Sequence, residues 1–314
     1  MIDIFNAIIP VFVVLLTGFL AGKGNFLGQE AARVINRFVY YIALPCLLFV
    51  TTSQAEASDI LNGDFILVFL LGSLATIIVS MAGLFFFKKE GLEEYILFLM
   101  ASTVGNTTYM GIPVLVGLFG ARGGVAAVIG TITVNLTLTA LGICALSICA
   151  SNRHDGRDGG SKIKPLIRAF CTPFIIACII GIGCSLLTIR IPAAISRSAE
   201  LLGSPTAAAA LFAVGLSLAR LKPVKKTMLE AGWLSLCKLV FSPLLVLAFC
   251  PLFPELDPIW KSCAVLLAAM PLASNVCLIS ANSNRYIEES SAILFISTLL
   301  SALSLTFFTH LLMS

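Results

Sequence analysis

Asn106-Thr-Thr-Tyr-Met-Gly-Ile-Pro113 lies inside a hydrophobic stretch, between almost wholly apolar flanks at 95–105 and 114–119. Hydrocarbon offers no water to free backbone groups. Irregular backbone at that depth persists only where it is buried in protein or lines a cavity. Pro113 deletes one helix hydrogen bond and displaces a carbonyl. The pattern predicts a broken helix with Gly111 and Pro113 at the break, which makes it a candidate binding site. Asn106 and Thr107 donate and accept hydrogen bonds without carrying charge, which suits a carboxylate or an amide. The half-helix that restarts after the break aims free N–H groups and a positive dipole end at the site, favouring an anion. The competing reading is an Asn that only satisfies kinked backbone.

A second break is expected at Met270-Pro271-Leu-Ala-Ser274-Asn275. Ser274 and Asn275 follow Pro271 within one turn, close enough to reach the same cavity; the alternative is a kink held by neighbouring helices. Asn135 sits mid-way along another apolar stretch and either lines that cavity or joins helices. Lys238 is the one ionisable residue near the centre of any span. A charge there costs at least ~2.5–3.5 kcal/mol and marks a pathway or a fixed counter-ion. It can attract an anionic substrate, stand in for a coupling cation, or snorkel to the membrane surface. Asp64, Glu93, Glu94, Glu200, Glu230 and Glu289 all fall near span ends, which disfavours a carboxylate-based cation antiporter. Sodium held by carbonyls, Asn, Ser and Thr stays open.

These residues need a membrane fold to position them. The chain has 314 residues, 59% hydrophobic and 11% charged, with mean hydropathy +1.03. A soluble domain is about 25% charged. The expectation is an all-α polytopic membrane protein with ten spans, at about 2–22, 32–52, 65–87, 95–119, 124–149, 169–188, 199–219, 228–250, 260–282 and 290–312. Charges lie in loops rather than in one basic patch, which argues against nucleic acid. The ten Cys are scattered and only two His occur, so metal-ligand spacing is absent. No cofactor is expected. No His/Asp/Ser constellation suggests an enzyme.

Loops after odd-numbered spans hold 15 Lys and Arg, and those after even-numbered spans hold 4. That bias puts the first set in the cytoplasm and both termini outside the cell membrane. The stretch 151–168 is a polar, Gly-rich cytoplasmic linker between repeats 1–150 and 169–314. Pro10 precedes Gly18 as Pro173 precedes Gly181, at an offset of 163, and Leu48-Phe49 meets Leu211-Phe212 at the same offset. Five spans per half makes the second half inverted. Inverted repeats with paired broken helices (spans 4 and 9) indicate a secondary transporter.

Asn106-Thr-Thr-Tyr-Met-Gly-Ile-Pro-Val-Leu, Asn36-Arg-Phe-Val with Ala43-Leu-Pro-Cys-Leu-Leu-Phe, Leu211-Phe-Ala-Val-Gly-Leu-Ser-Leu-Ala, Met270-Pro, Arg285-Tyr286 and Ser297-Thr-Leu-Leu-Ser resemble, in this order, the auxin efflux carrier family. That resemblance implies the crossover fold of bile-acid and sodium–proton transporters. It implies a scaffold of spans 1, 2, 6 and 7, a moving transport domain of spans 3–5 and 8–10, and homodimers formed through the scaffold. It carries the family's substrate-binding Asn onto Asn106 and a polar residue of its fifth span onto Asn135. The substrate it implies is a small organic anion: auxin-like, or a mono- or dicarboxylate such as malonate or malate. The rival readings are a sodium- or proton-coupled symporter of bile-acid-like or other acids, and a membrane sensor without net transport.

Overall fold

The computed structural model describes residues 2–28, 30–56, 59, 62–153, 172–221 and 225–313. Most of the predicted linker, residues 154–168, lies outside them. Among the described residues the chain is helical, as an apolar chain must be when its backbone groups have only each other for partners. Among the described residues six stretches are long and apolar enough to cross a membrane: Ala31–Ser53, Gly63–Phe85, Thr107–Cys149, Ala193–Leu218, Lys225–Leu252 and Ile287–Met313. Ile8–Lys23, Pro173–Leu186 and Pro258–Ala268 are shorter apolar helices. The outer surface is itself greasy, with Phe85 87% and Leu201 76% exposed, which suits lipid contact.

In chain order the helices are α1 (Ile2–Lys23), α2 (Ala31–Phe38), α3 (Leu44–Ser53), α4 (Gly63–Met81), α5 (Leu92–Thr103), α6 (Ile112–Val134) and α7 (Ala140–Arg153). They continue with α8 (Pro173–Leu186), α9 (Ala193–Gly203), α10 (Thr206–Leu218), α11 (Met228–Leu236), α12 (Ser242–Phe249), α13 (Pro258–Ala268), α14 (Ser274–Asn282) and α15 (Ile287–Met313). The rod containing α6 is two rods. Gly120 turns it with φ 62° and ψ −143°, a conformation that glycine adopts without steric cost. The turn falls where the sequence placed the boundary between spans 4 and 5.

Wide π turns interrupt the helices at Val39–Ala43, Thr107–Gly111, Asn135–Thr139 and Cys237–Phe241. Three of them run directly into a helix whose second residue is proline: Pro45, Pro113 and Pro243. A proline lacks the N–H for its bond and its ring collides with the carbonyl four residues back. Widening the preceding turn to an i→i+5 pattern moves that carbonyl aside without stopping the helix.

α1 packs along α10, and α3 along α8. A Cβ on Gly18 would strike the Phe212 carbonyl, and one on Gly181 the Phe49 carbonyl. Gly18 and Gly181 are 163 residues apart, as are Phe49 and Phe212, so both helix pairs make the same backbone approach. Gly215 faces the Leu15 carbonyl with no room for a methyl group, so its role is close helix packing. Gly215→Ala is expected to cost about 1–3 kcal/mol through overpacking, read as a lower melting temperature in detergent. An unchanged melting temperature would contradict this contact.

Candidate substrate site at the crossing of two broken helices

The first break is not at Pro113, where the sequence placed its end. The chain leaves helix at Val104 and re-enters it at Thr107, while Pro113 lies inside the restarted helix, second in α6. Proline marks a missing donor, and the π turn before it absorbs that loss locally. The second break spans residues 269–273, between α13 and α14, and does contain Pro271.

The two extended segments pair with each other. Gly105 and Leu272 form an isolated antiparallel bridge. The Asn106 N–H donates to the Pro271 carbonyl at 2.8 Å, and the Ala273 N–H to the Val104 carbonyl at 3.0 Å. The Leu272 N–H donates to Ser297 Oγ of α15 at 3.2 Å. Non-helical backbone inside an apolar core is thus satisfied by the other break and by one serine. The pairing also sets the electrostatics. The start of α14 lies beside the end of α5, and the restart at Thr107 lies beside the end of α13. Each positive helix end therefore has a negative one next to it.

Lys238 adds a cationic side chain to this crossing. It is 2% exposed, and its Nζ donates to the Ala268 carbonyl, the last residue of α13, at 2.9 Å. It points into the protein rather than snorkelling. Gly105 makes room for it: a Cβ there would stand 2.8 Å from Lys238 Cε and 2.9 Å from Nζ. The buried Lys238 amine thus sits where two half-helices present carbonyl ends.

Asn106 is 4% exposed and caps the restarted helix, its Oδ1 accepting from the Tyr109 N–H at 3.1 Å. Its Nδ2 has no partner among the described residues. The backbone-satisfying reading therefore accounts for one half of the amide and leaves the donating half free. Thr131 donates to Thr107 Oγ1 at 3.0 Å and receives Thr108 Oγ1 at 3.5 Å. Asn135 Nδ2 donates to the Thr131 carbonyl at 2.8 Å. Thr131 therefore ties the first break to the Asn135 turn, a role that a lone threonine in an apolar run does not advertise. Gly111 gives α13 its close approach, since a Cβ there would meet Leu267 Cδ2 at 2.8 Å.

Ser274 and Asn275 are the first two residues of α14, whose N-cap Ala273 supplies no side-chain bond. Among the described residues, Ser274 Oγ and Asn275 Oδ1 are buried atoms without a hydrogen-bond partner. Such an atom costs about 1–3 kcal/mol unless something binds it. The crossing thus pairs the segment leading to the Asn106 amide with the segment leading to Ser274, Asn275 and the start of α14. No group of three His, Cys, Asp or Glu able to hold a metal occurs among the described residues.

Two polar features lie elsewhere. A cleft of about 550 Å³ is lined by Glu56, Asp59, Asp64, Glu255 and Asp257, with Arg122 among them. Arg122 reaches Asp257 at 3.4 Å and Asp59 at 3.8 Å. Five carboxylates around one guanidinium repel an anion. The second is a buried cluster of Glu230, Lys89 and Tyr286, with Glu93 paired to Arg285 nearby. The sequence places these glutamates at span ends, which is correct along the chain, but the fold buries Glu230 and Glu93 all the same.

A helical membrane chain with two broken helices that cross and hydrogen-bond at the level of a buried lysine defines a membrane transport protein. The sequence matches the membrane transport protein family over residues 3–155 and 160–309. The chain belongs to that family, the auxin efflux carriers, and is a multi-pass membrane transporter rather than an enzyme. It is 32% identical to the "Putative malonate transporter" of Rhizobium meliloti (strain 1021), covering 100% of this chain and 97% of that one. It is 29% identical to the "Uncharacterized transporter YfdV" of Escherichia coli (strain K12), covering 93% and 92%. A similarly named transporter of Methanothermobacter thermautotrophicus is 27% identical over 96% and 95%.

Proposed function

We propose that this protein is a secondary transporter of small organic anions, with malonate-like dicarboxylates as its substrates, working by alternating access. The observation that carries the reading is the crossing itself. The Asn106 Nδ2, the Ser274 hydroxyl and the N–H groups opening α14 supply uncharged donors for an anion, with the Asn275 side chain beside them and Lys238 as the nearby cation. Thr107 and Asn135 hold its rim through Thr131. The relative named for malonate transport favours a short dicarboxylate over an indole acid.

Ten spans in two inverted repeats organise the machine in this reading. The equivalent approaches of Gly18 to Phe212 and Gly181 to Phe49 support the two-fold relation. α1, residues 31–53, α8 and α9–α10 serve as scaffold and dimer surface. The remaining helices carry the crossing against it. The Lys and Arg bias places the termini outside the cell membrane and the central linker in the cytoplasm. Lys238 occupies the position of a coupling cation, so transport proceeds without sodium.

A thermal-shift screen of the purified protein tests the substrate class. Malonate at about 100 times its Kd stabilises by about 2.7 kcal/mol, and malate stabilises less strongly. If no short acid shifts the melting temperature while bulky amphiphilic acids do, the dicarboxylate reading yields to a bile-acid-like one.

A further inference from the structure

α14 carries half of the crossing, with Cys277 and Ile279 packed partly against the core. Of its nine residues only Val276 and Ser280 are buried, and its helix neighbours are α5 and α15. Its N-terminal end is held by the bridge at Leu272. Its other end runs into a turn where Asn284 and Tyr286 both have positive φ, 49° and 60°. Asn tolerates that region, but a tyrosine there is sterically disfavoured, so something outside the turn must hold it. The Tyr286 hydroxyl donates to Glu230 Oε1, and the same oxygen pairs with Lys89. The Lys89 ammonium also lies 4.8 Å from the centre of the Tyr286 ring and 5.3 Å from that of Phe98. Arg285 reaches Glu93 at 3.8 Å and Glu94 at 3.7 Å. These ties join the turn to α5, α11 and the segment before α5.

We infer that Tyr286, Glu230 and Lys89 are positioning residues for the substrate site, fixing the far end of α14 so that Ser274 and Asn275 stay aligned with Asn106. This rests on the reading of the crossing as that site. A helix of nine residues is about 13 Å long and rigid, so a tilt at Tyr286 displaces its first turn. Burial, together with the Glu230 carboxylate, raises the Tyr286 hydroxyl well above its ordinary pKa, so it remains a donor. Besides the bridge at Leu272, one Cys277 Sγ bond to the Ser290 carbonyl at 3.3 Å ties α14 to α15, whereas the 107–119 half of the other break buries Thr107, Met110, Gly111, Ile112, Val114 and Leu115.

Tyr286→Phe deletes only the hydroxyl bond and keeps the ring. The expected result is a roughly tenfold weaker Kd for malonate, equivalent to about 1.4 kcal/mol. Amide hydrogen exchange is expected to quicken over 276–282 and to stay unchanged in α1 and α10. Glu230→Gln, which keeps an acceptor oxygen for the hydroxyl, should fall between wild type and Tyr286→Phe. Unchanged exchange in α14, or exchange that quickens equally in every helix, would overturn the inference and leave the cluster a general stabiliser. If the wild-type protein binds no malonate, the site reading fails, and the exchange pattern in α14 still decides whether the cluster holds that helix.

Discussion

Asn106→Ala is expected to lower malonate transport in proteoliposomes about 100-fold, and Asn106→Asp to lower it at least as far while melting like wild type. The two substitutions separate the two halves of one amide. The Oδ1 caps the restarted helix, and losing such a cap costs about 0.5–2 kcal/mol. Asp is as good a cap as Asn, so Asn106→Asp retains that contribution. It also replaces the free Nδ2 donor by a negative charge facing an anionic substrate, and a hydrogen bond to a charged group is worth about 1.5–3 kcal/mol. If Asn106 served only the backbone, Asn106→Asp would transport normally and only Asn106→Ala would suffer. Wild-type flux in Asn106→Asp therefore removes Asn106 from the site.

The case of Asn106 also shows what the sequence could and could not display. A polar triplet in an apolar run is visible because it violates the local pattern, and Asn135, Ser274, Asn275 and Lys238 stood out for the same reason. The exact site of the break was not visible. Pro113 announces a missing N–H, but the π turn at Thr107–Gly111 absorbs it, as similar turns do before Pro45 and Pro243. The break falls at Gly105 because that is where the other chain segment pairs and where Lys238 needs room. Both are long-range facts. Thr131 was hidden because one threonine in a helix is ordinary, and its two hydroxyl partners lie more than twenty residues away. Glu230 and Lys89 looked like solvated span ends, since nothing local to either residue reveals that Tyr286 closes over them.

Lys238→Met is expected to abolish sodium-independent transport, with sodium chloride restoring part of the flux where choline chloride does not. An ammonium at membrane depth is costly, by about 2.5–3.5 kcal/mol on insertion scales. It is tolerated here because the end of α13 presents the Ala268 carbonyl at 2.9 Å and the end of α5 lies beside it. Each helix end carries about half a negative charge, offset in part by the helix start beside it, and the Lys238 Nζ bonds directly to the carbonyl at the end of α13. Methionine fills a similar length and supplies no positive charge. It leaves the Ala268 carbonyl without its donor, at a cost of about 1–3 kcal/mol, so the variant should also melt at a lower temperature. A mobile sodium ion can take the vacated place among carbonyl oxygens, which are its ordinary ligands. Lys238→Arg should not substitute for lysine, because the space left by Gly105 is already filled to contact and a guanidinium is the larger group. Full transport by Lys238→Met in sodium-free buffer would show that the crossing needs no fixed cation. Loss of transport without sodium rescue would confine Lys238 to holding the two half-helices together.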